Sequence, residues 1–283
     1  MRVRRRAIAA LALAVSASTA GSLLGGATAG ASSPAKAPVI RVHMSSTAVT
    51  VGHGIHRMRA GSVIFKVESA RGDHELQIAK VHRGYTLAQA GADINKAFSG
   101  DVAAIRRVDA NITFRGGAEA RPSHPGYVAV KLRAGDYVFL DQDSNAYVIM
   151  HVWGTAPART LPARRASVTT YTYGFGTMPA TLPARGWVHV HNVSDQPHFV
   201  VFNHVKANTT AAMVRKYFHN MSEAPPPFGL RANTSTGVIS PNVGQLVHYN
   251  LPPGKYLIAC FWPDDDTGMP HAFMGMWKLV WLS

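Results

Sequence analysis

The 283-residue sequence predicts an all-β protein that consists of two tandem β-sandwiches with short helical insertions. Many short runs place an apolar residue at every second position, as Val63, Phe65 and Val67 do, and glycine or proline separates one run from the next. This pattern is typical of half-buried strands in a sandwich. Similar motifs recur at a spacing of about 120 residues, which indicates two copies of one domain rather than a solenoid.

Residues 1–29 precede the repeat and have the pattern of a secretory signal peptide. A basic start that includes Arg2 and Arg4 leads into an apolar stretch from Ala7 to Val15, and small residues close the segment at 27–29. No later stretch reaches the roughly 18 consecutive apolar residues that a membrane span requires. We therefore expect an exported protein, secreted or held in the cell envelope, without a transmembrane segment.

The internal repeat defines the expected domains. Three motifs of the first half parallel three of the second, namely residues 61–67 with 186–192, 72–78 with 196–202, and 132–139 with 251–258. Helical patterns interrupt both halves before the last of these motifs, at residues 86–94, 102–107 and 210–219. We assign the two domains to residues 38–155 and 167–283, and the Pro/Ala/Arg-rich residues 156–166 to the linker.

Charge and cysteine content limit the possible partners. The formal net charge is +14, and loss of the four signal-peptide arginines lowers it to +10. This charge favours anionic surroundings, so an anionic cell-envelope component is an expected partner. No basic cluster is interleaved with aromatic residues as in a nucleic-acid groove, so we expect no nucleic-acid partner. The single cysteine excludes an internal disulfide.

The last thirty residues contain the strongest functional signal. A buried-strand pattern, YLIACF, holds the only cysteine, Cys260, and His271 and Met276 follow it. Between them lies the acidic turn 264–268, whose aspartates we expect to be solvated rather than calcium ligands. Thiolate, imidazole and thioether together are the soft ligand set that selects copper. A second imidazole must come from elsewhere, and His198 offers one at the start of another strand.

Two motifs carry a resemblance to a known family. PHFVVFN at residues 197–203 resembles the Pro-His strand of plastocyanin-type cupredoxins, the blue copper proteins, and PGKYLIAC…PH…GM at 253–276 resembles their closing hairpin. The ending CFWPDDDTGMPHAFMGM is more similar still to secreted bacterial two-domain cupredoxin-like proteins. The resemblance implies Greek-key sandwiches and a function in electron transfer, with a redox partner, or in copper handling. It also implies one copper ion with three equatorial ligands and one axial ligand: His198, Cys260, His271 and, axially, Met276.

The first half differs where this chemistry would be. Alignment of the two closing hairpins places Asp141 opposite Cys260 and His74 opposite His198, so the first half has no thiolate. His151 falls roughly where the axial-ligand region of the second half lies. These three residues of the first half could hold a harder metal such as zinc. We favour instead a degenerate copy that is kept for packing or partner binding.

Two kinds of enzyme would use histidine or cysteine residues of the second half. His189-Val-His191 is similar to the His-x-His pairs of multicopper oxidases, but those enzymes have several such pairs plus a His-Cys-His motif, and here Cys260 is flanked by Ala259 and Phe261. A nucleophilic cysteine fits poorly, because apolar neighbours raise the pKa of a thiol. We therefore expect no enzyme activity. The alternative to copper binding is a metal-free extracellular binding or structural module.

Overall fold

A computed structural model describes residues 35–283, except residue 177 and residues 221–224. The predicted signal peptide, residues 1–29, lies outside the described residues. Residues 34–283 form one compact unit. Within the part of the chain that the structure describes, no helix is both long enough and apolar enough to cross a membrane.

The first half contributes nine described strands and two helices. In chain order they are β1 Val39–Ser45, β2 Ala48–Val51, β3 Arg57–Arg59, β4 Gly61–Ser69, β5 His74–Val81, α1 Leu87–Ala97, α2 Val102–Asn111, β6 Ile112–Ala120, β7 Gly126–Leu132, β8 Gly135–Asp141 and β9 Tyr147–Trp153. The second half contributes nine described strands and one helix. They are β10 Ala166–Tyr171, β11 Gly174–Phe175, β12 Thr181–Leu182, β13 Arg185–Asn192, β14 Val201–His204, α3 Ala211–His219, β15 Arg231–Ser235, β16 Gly244–Asn250, β17 Gly254–Ala259 and β18 Trp277–Leu282.

The strands form three sheets, and the all-β prediction is confirmed. An eight-stranded sheet has the order β11-β10-β13-β16-β7-β4-β1-β2, and two five-stranded sheets have the orders β3-β9-β8-β5-β6 and β12-β18-β17-β14-β15. The pairing order of the first half therefore recurs in the second. Each half is a sandwich, because four strands of the large sheet cover one five-stranded sheet and enclose a separate apolar core.

The two halves share the large sheet. Strand β7 pairs with β16 in antiparallel register, with Ala129 opposite Leu246 and Tyr127 opposite His248. Local strand patterns did not predict this pairing. The division into two domains with a linker at residues 156–166 stays a prediction, because the halves pack as one compact unit.

Hydrophobic alternation explains which way the strand residues face. In β13, Val188 and Val190 are buried in the core of the second half. His189 and His191 lie on the opposite, outer face and are only partly buried, as the alternation predicted.

All three helical patterns form helices, and each helix begins at a side-chain cap. Thr86, Asp101 and Thr210 each accept a hydrogen bond from a backbone N–H in the first turn of α1, α2 and α3, respectively. Such caps satisfy N–H groups that have no partner within the helix. Helices α1 and α2 contact each other closely and lie between β5 and β6 in the chain.

Candidate metal centre

Strand order brings three segments to one end of the second sandwich. Strand β14 runs antiparallel to β17, and β17 runs antiparallel to β18. The start of β14, the end of β17 and the start of β18 therefore lie at the same end. His198 lies three residues before β14, Cys260 directly follows β17, and Met276 directly precedes β18.

Backbone hydrogen bonds fix the first two of these residues. The N–H of His198 donates to the carbonyl of Ile239 at 3.0 Å, and the N–H of Ile239 donates back to His198 at 2.8 Å. The N–H of Cys260 donates to the carbonyl of Met276 at 3.2 Å, which extends the β17–β18 ladder by one residue. Both side chains therefore start from defined backbone positions.

The long segment between Cys260 and His271 leaves the site and returns to it. Pro263 and Pro270 form an antiparallel bridge that closes the excursion. The N–H of His271 donates to the carbonyl of Trp262 at 2.9 Å. The ten intervening residues thus form a closed loop, and His271 comes back beside the cysteine.

His198, Cys260 and His271 meet in the interior. The Cys260 sulfur lies 3.6 Å from His198 Nδ1 and 3.8 Å from His271 Nδ1, and the two Nδ1 atoms are 3.1 Å apart. All three side chains have no exposed surface. Among the described residues, this is the one group of three or more His, Cys, Asp or Glu side chains whose potential ligand atoms all lie within 4.8 Å of one another.

Hydrogen bonding determines which nitrogen of His271 carries the proton. The amide nitrogen of Gln196 donates to Asp264 Oδ2 at 3.0 Å, so the amide oxygen must face the other way. That oxygen lies 2.8 Å from His271 Nε2 and can only accept. His271 therefore carries its proton on Nε2, and the Nδ1 lone pair points toward Cys260.

The outer nitrogen of His198 also has a hydrogen-bond partner. His198 Nε2 lies 2.7 Å from the hydroxyl oxygen of Ser194. The same hydroxyl lies 2.8 Å from Asn192 Oδ1 and 2.9 Å from the Gln196 carbonyl oxygen. When its proton is directed to either of these acceptors, Ser194 accepts from His198 Nε2–H, and His198 Nδ1 then presents a lone pair.

Burial keeps the histidines neutral and the thiol protonated. It lowers the pKa of His198 to about 3, with a further contribution from the neighbouring His271. It lowers the pKa of His271 to about 4, against the charge of Asp264, which favours the protonated form. Burial also raises the pKa of the Cys260 thiol to about 12. At neutral pH the metal-free site therefore holds two imidazole lone pairs and one thiol proton.

Asp264 is buried and accepts hydrogen bonds from several residues around the site, so the expectation of a solvated acidic turn is wrong for this residue. Its side chain has no exposed surface, and Oδ2 accepts from Gln196 and, at 2.6 Å, from the hydroxyl of Tyr173. Oδ1 accepts from the hydroxyl and backbone N–H of Thr267. Burial alone would raise the pKa of Asp264, but these hydrogen bonds together outweigh it and hold the pKa below its ordinary value.

Sequence reasoning missed this supporting shell of Ser194, Gln196, Tyr173 and Asp264. One local signal was available, since an aspartate three residues before Thr267 is typical of an Asx turn. Tyr173 also covers the site, because its ring meets the His271 ring edge-on at a centroid distance of 5.5 Å.

Met276 lies beside the three ligand candidates but is positioned differently. Its side chain is fully buried in an apolar cluster that also contains Cys260 and Trp262. Its backbone N–H donates to the carbonyl of His271 at 2.9 Å. The sequence motif therefore brings a thioether to the same end of the sandwich as the thiol and the two imidazoles.

The equivalent position in the first half holds an ion pair. His74 Nδ1 lies 2.7 Å from Asp141 Oδ2, and His74 Nε2 lies 3.0 Å from the carbonyl oxygen of Arg71. Both ring nitrogens thus face acceptors and have no lone pair to offer. His151 is elsewhere, exposed and paired with Asp136 at 2.7 Å. The zinc alternative, which required His74, Asp141 and His151 together, is therefore wrong.

The residues of the second half fit a trigonal metal ion. Bonds of about 2.0 Å to nitrogen and about 2.3 Å to sulfur, at angles of about 100–120°, require donors roughly 3.1–3.7 Å apart. The separations of 3.1 and 3.6 Å lie within this range, and the 3.8 Å between Cys260 Sγ and His271 Nδ1 exceeds it by about 0.1 Å. Both Nδ1 atoms face the Cys260 sulfur, so a cation between the three atoms would accept one lone pair from each of them. This arrangement is compatible with copper binding.

Comparisons with solved structures show what the chain is similar to. The reduced auracyanin of Roseiflexus castenholzii is 17% identical over 43% of this chain and 98% of its own, with a TM-score of 0.27. Auracyanin A, a "blue" copper protein of Chloroflexus aurantiacus, is 17% identical over 41% of this chain and 99% of its own, with a TM-score of 0.28. A multicopper oxidase is 13% identical over 87% of this chain and 88% of its own, with a TM-score of 0.25.

No family model and no curated protein matches the chain. What the site binds follows from its own side chains.

Proposed function

We propose that the second half binds one copper ion through His198, Cys260 and His271, with Met276 as a weaker fourth ligand. One observation carries this proposal: a thiol and two imidazole lone pairs converge in a dry site, at separations that suit one trigonal ion. Two imidazoles and a thiolate with a more distant thioether are the donor set of copper electron-transfer sites. Zinc is less favoured, because its structural sites prefer four equivalent tetrahedral ligands.

A copper ion in this site would accept and release single electrons, so the proposed role is electron transfer or copper handling. The surrounding side chains orient the ligand residues and keep water away from them. Gln196 and Ser194 orient the two imidazoles, and full burial of the ligand residues excludes water. Fixed hydrogen bonds to the outer nitrogens of metal-bound histidines hold ring orientation and raise ligand basicity.

We also propose that the protein is exported and is not an enzyme. Export is supported by the basic-apolar-small pattern of residues 1–29. The absence of enzyme activity is supported by the sequence, in which Cys260 is flanked by Ala259 and Phe261 and not by the two histidines of a His-Cys-His motif. The net positive charge supports an anionic cell-envelope component as a partner, beside a redox partner.

The test is metal analysis of purified protein, together with its visible spectrum and its thermal unfolding. Thiolate-bound Cu(II) in this geometry absorbs strongly in the visible. At a hundredfold excess over its dissociation constant, copper should raise the free energy of unfolding by about 2.7 kcal/mol. Cys260→Ser should abolish the absorption and most of this stabilisation, whereas His151→Ala, an exposed histidine of the first half, should change neither.

A colourless protein that unfolds at the same temperature with and without copper would contradict copper binding. The metal-free binding or structural module would then be the remaining function.

A further inference from the structure

The outer face of β13, which points away from the core of the second half, carries a second pair of imidazoles. His189 and His191 lie two residues apart and project from the same side of the strand, opposite the buried Val188 and Val190. Their rings are stacked, with centroids 5.7 Å apart and planes 11° apart. Because β13 is paired on both sides, by β10 and β16, this face is held rigidly.

A glycine on the neighbouring strand makes room for both rings. Gly244 lies opposite His191 in the β13–β16 register. A Cβ atom at Gly244 would lie 2.8 Å from His189 Nε2 and 3.3 Å from His191 Cδ2. The two rings therefore lean toward the same point above the glycine, and any side chain there would displace them.

Both imidazoles have nitrogens that are free to bind a ligand. Within the described chain, neither the His189 nor the His191 side chain has a hydrogen bond or an ion pair. Both rings are partly buried. Burial lowers the pKa of His189, with a smaller effect from Arg164, so His189 is neutral at pH 7. Neutral imidazole is the form that binds metals.

We propose that His189 and His191 form a second metal site, which binds one divalent first-row ion such as Cu(II), Ni(II) or Zn(II) through both imidazoles. Imidazole suits all three ions. Alternate residues of a strand face the same way, and small rotations of the two side chains bring their nitrogens to one ion. Water fills the remaining positions, because this face is open. Arg164 lies close enough to oppose added positive charge, which makes the site moderate in affinity.

The experiment titrates untagged Cys260→Ser protein with Ni²⁺ by calorimetry, so that the buried thiolate does not contribute. We expect one Ni²⁺ per chain. His189→Ala and His191→Ala should each weaken binding by about a hundredfold, because loss of one ligand removes the advantage of chelation. Gly244→Ala should also weaken binding, since it displaces the rings, and Arg164→Ala should strengthen it.

His53→Ala, which removes a different exposed histidine, is the matched control and should leave Ni²⁺ binding unchanged. Circular dichroism of each variant checks that the fold is kept. The proposal would be overturned if His189→Ala and His191→Ala both bound Ni²⁺ with the same affinity as the parent protein. It would also be overturned if the parent protein bound no Ni²⁺. Neither result bears on the proposed copper site of the natural sequence, because every protein in this comparison carries Cys260→Ser.

Discussion

His74 and Asp141 form a buried ion pair, 2.7 Å apart, at the positions that His198 and Cys260 occupy in the second half. The sheet registers establish this equivalence, because Phe139 pairs with Ile78 in the first half as Ile258 pairs with Phe202 in the second. The same two strand ends therefore carry a histidine–carboxylate contact in one half and a histidine–thiol contact in the other.

The first prediction concerns the stability that this ion pair provides. Asp141→Asn should lower the free energy of unfolding by about 3–5 kcal/mol, because it removes one partner of the buried His74–Asp141 contact. Chemical denaturation measures the loss. Asp136→Asn is the control, since the His151–Asp136 pair has the same length but is exposed, and it should cost much less. Equal losses in both variants would contradict a special role for the buried pair.

The second prediction concerns Asp264 as a positioning residue for the proposed copper site. An asparagine in its place cannot accept all the hydrogen bonds that the carboxylate accepts, so Gln196 loses its fixed orientation and His271 loses its fixed tautomer. We expect Asp264→Asn to weaken copper binding by about 10–100-fold while all ligands stay in place. Competition with a chelator of known affinity measures this change.

The neighbouring Asp266 provides the control for that experiment. Its carboxylate is 74% exposed and pairs with Arg106, so Asp266→Asn should leave copper affinity unchanged. Nitrogen NMR shifts of the metal-free protein should report Nε2–H for His271 in the parent and a mixture of tautomers in Asp264→Asn. An unchanged tautomer together with unchanged affinity would show that the hydrogen-bond chain from Asp264 does not act on the site.

The sequence could predict that His198, Cys260 and His271 lie close together, because the signals for each are local or repeated. A proline-histidine strand start, a cysteine at a strand end and a histidine-methionine pair before the next strand each belong to one segment. The internal repeat then aligned His74 with His198 and Asp141 with Cys260, and the registers of both halves agree with that alignment.

The supporting shell and the shared sheet could not be predicted in this way. Tyr173 and Asp264 are 91 residues apart, so their hydrogen bond depends on the complete fold. The pairing of β7 with β16 could not be predicted from the two strands alone. The alternation of apolar residues in a strand indicates which face is buried, but it does not indicate which other strand pairs with its edge. His151 was misplaced because β9 pairs in full with β8, which puts His151 opposite Asp136.

The third prediction is a pH-dependent stability caused by Asp109 in α2. Both of its carboxylate oxygens are buried, and burial together with the charge of Asp265 raises the pKa of Asp109 to about 7. Between the ordinary carboxyl pKa near 4 and about 7, the folded state binds more protons than the unfolded state, so stability falls as pH rises. Asp109→Asn should remove this slope and be more stable than the parent above pH 7 by at least about 1 kcal/mol.

Unfolding in urea at a series of pH values tests this prediction. The two proteins should be equally stable below about pH 3, where Asp109 is protonated in both the folded and the unfolded state. A parent whose stability stays constant or rises between pH 4 and pH 7, relative to Asp109→Asn, would contradict the raised pKa.

The last prediction concerns the proton that a metal must displace. Above about pH 5, both ligand histidines are already neutral, because burial lowers their pKa values to about 3 and about 4. The Cys260 thiol keeps its proton at neutral pH, since burial raises its pKa to about 12. Metal ligands must be deprotonated, so copper binding should release one proton per ion. The apparent affinity should then rise about tenfold for each unit of pH between 5 and 8.

Calorimetry in buffers with different ionisation enthalpies counts the released protons directly. Zinc serves as a redox-inactive probe of the same donors, and it should also release one proton. His198→Gln should still release one proton, at weaker affinity, because the thiol remains. Cys260→Ser should release none, and any residual binding should lose its pH dependence above pH 5. Release of two or more protons by the parent would mean that a histidine is charged before binding, and release of none would mean that the thiolate exists in the metal-free protein.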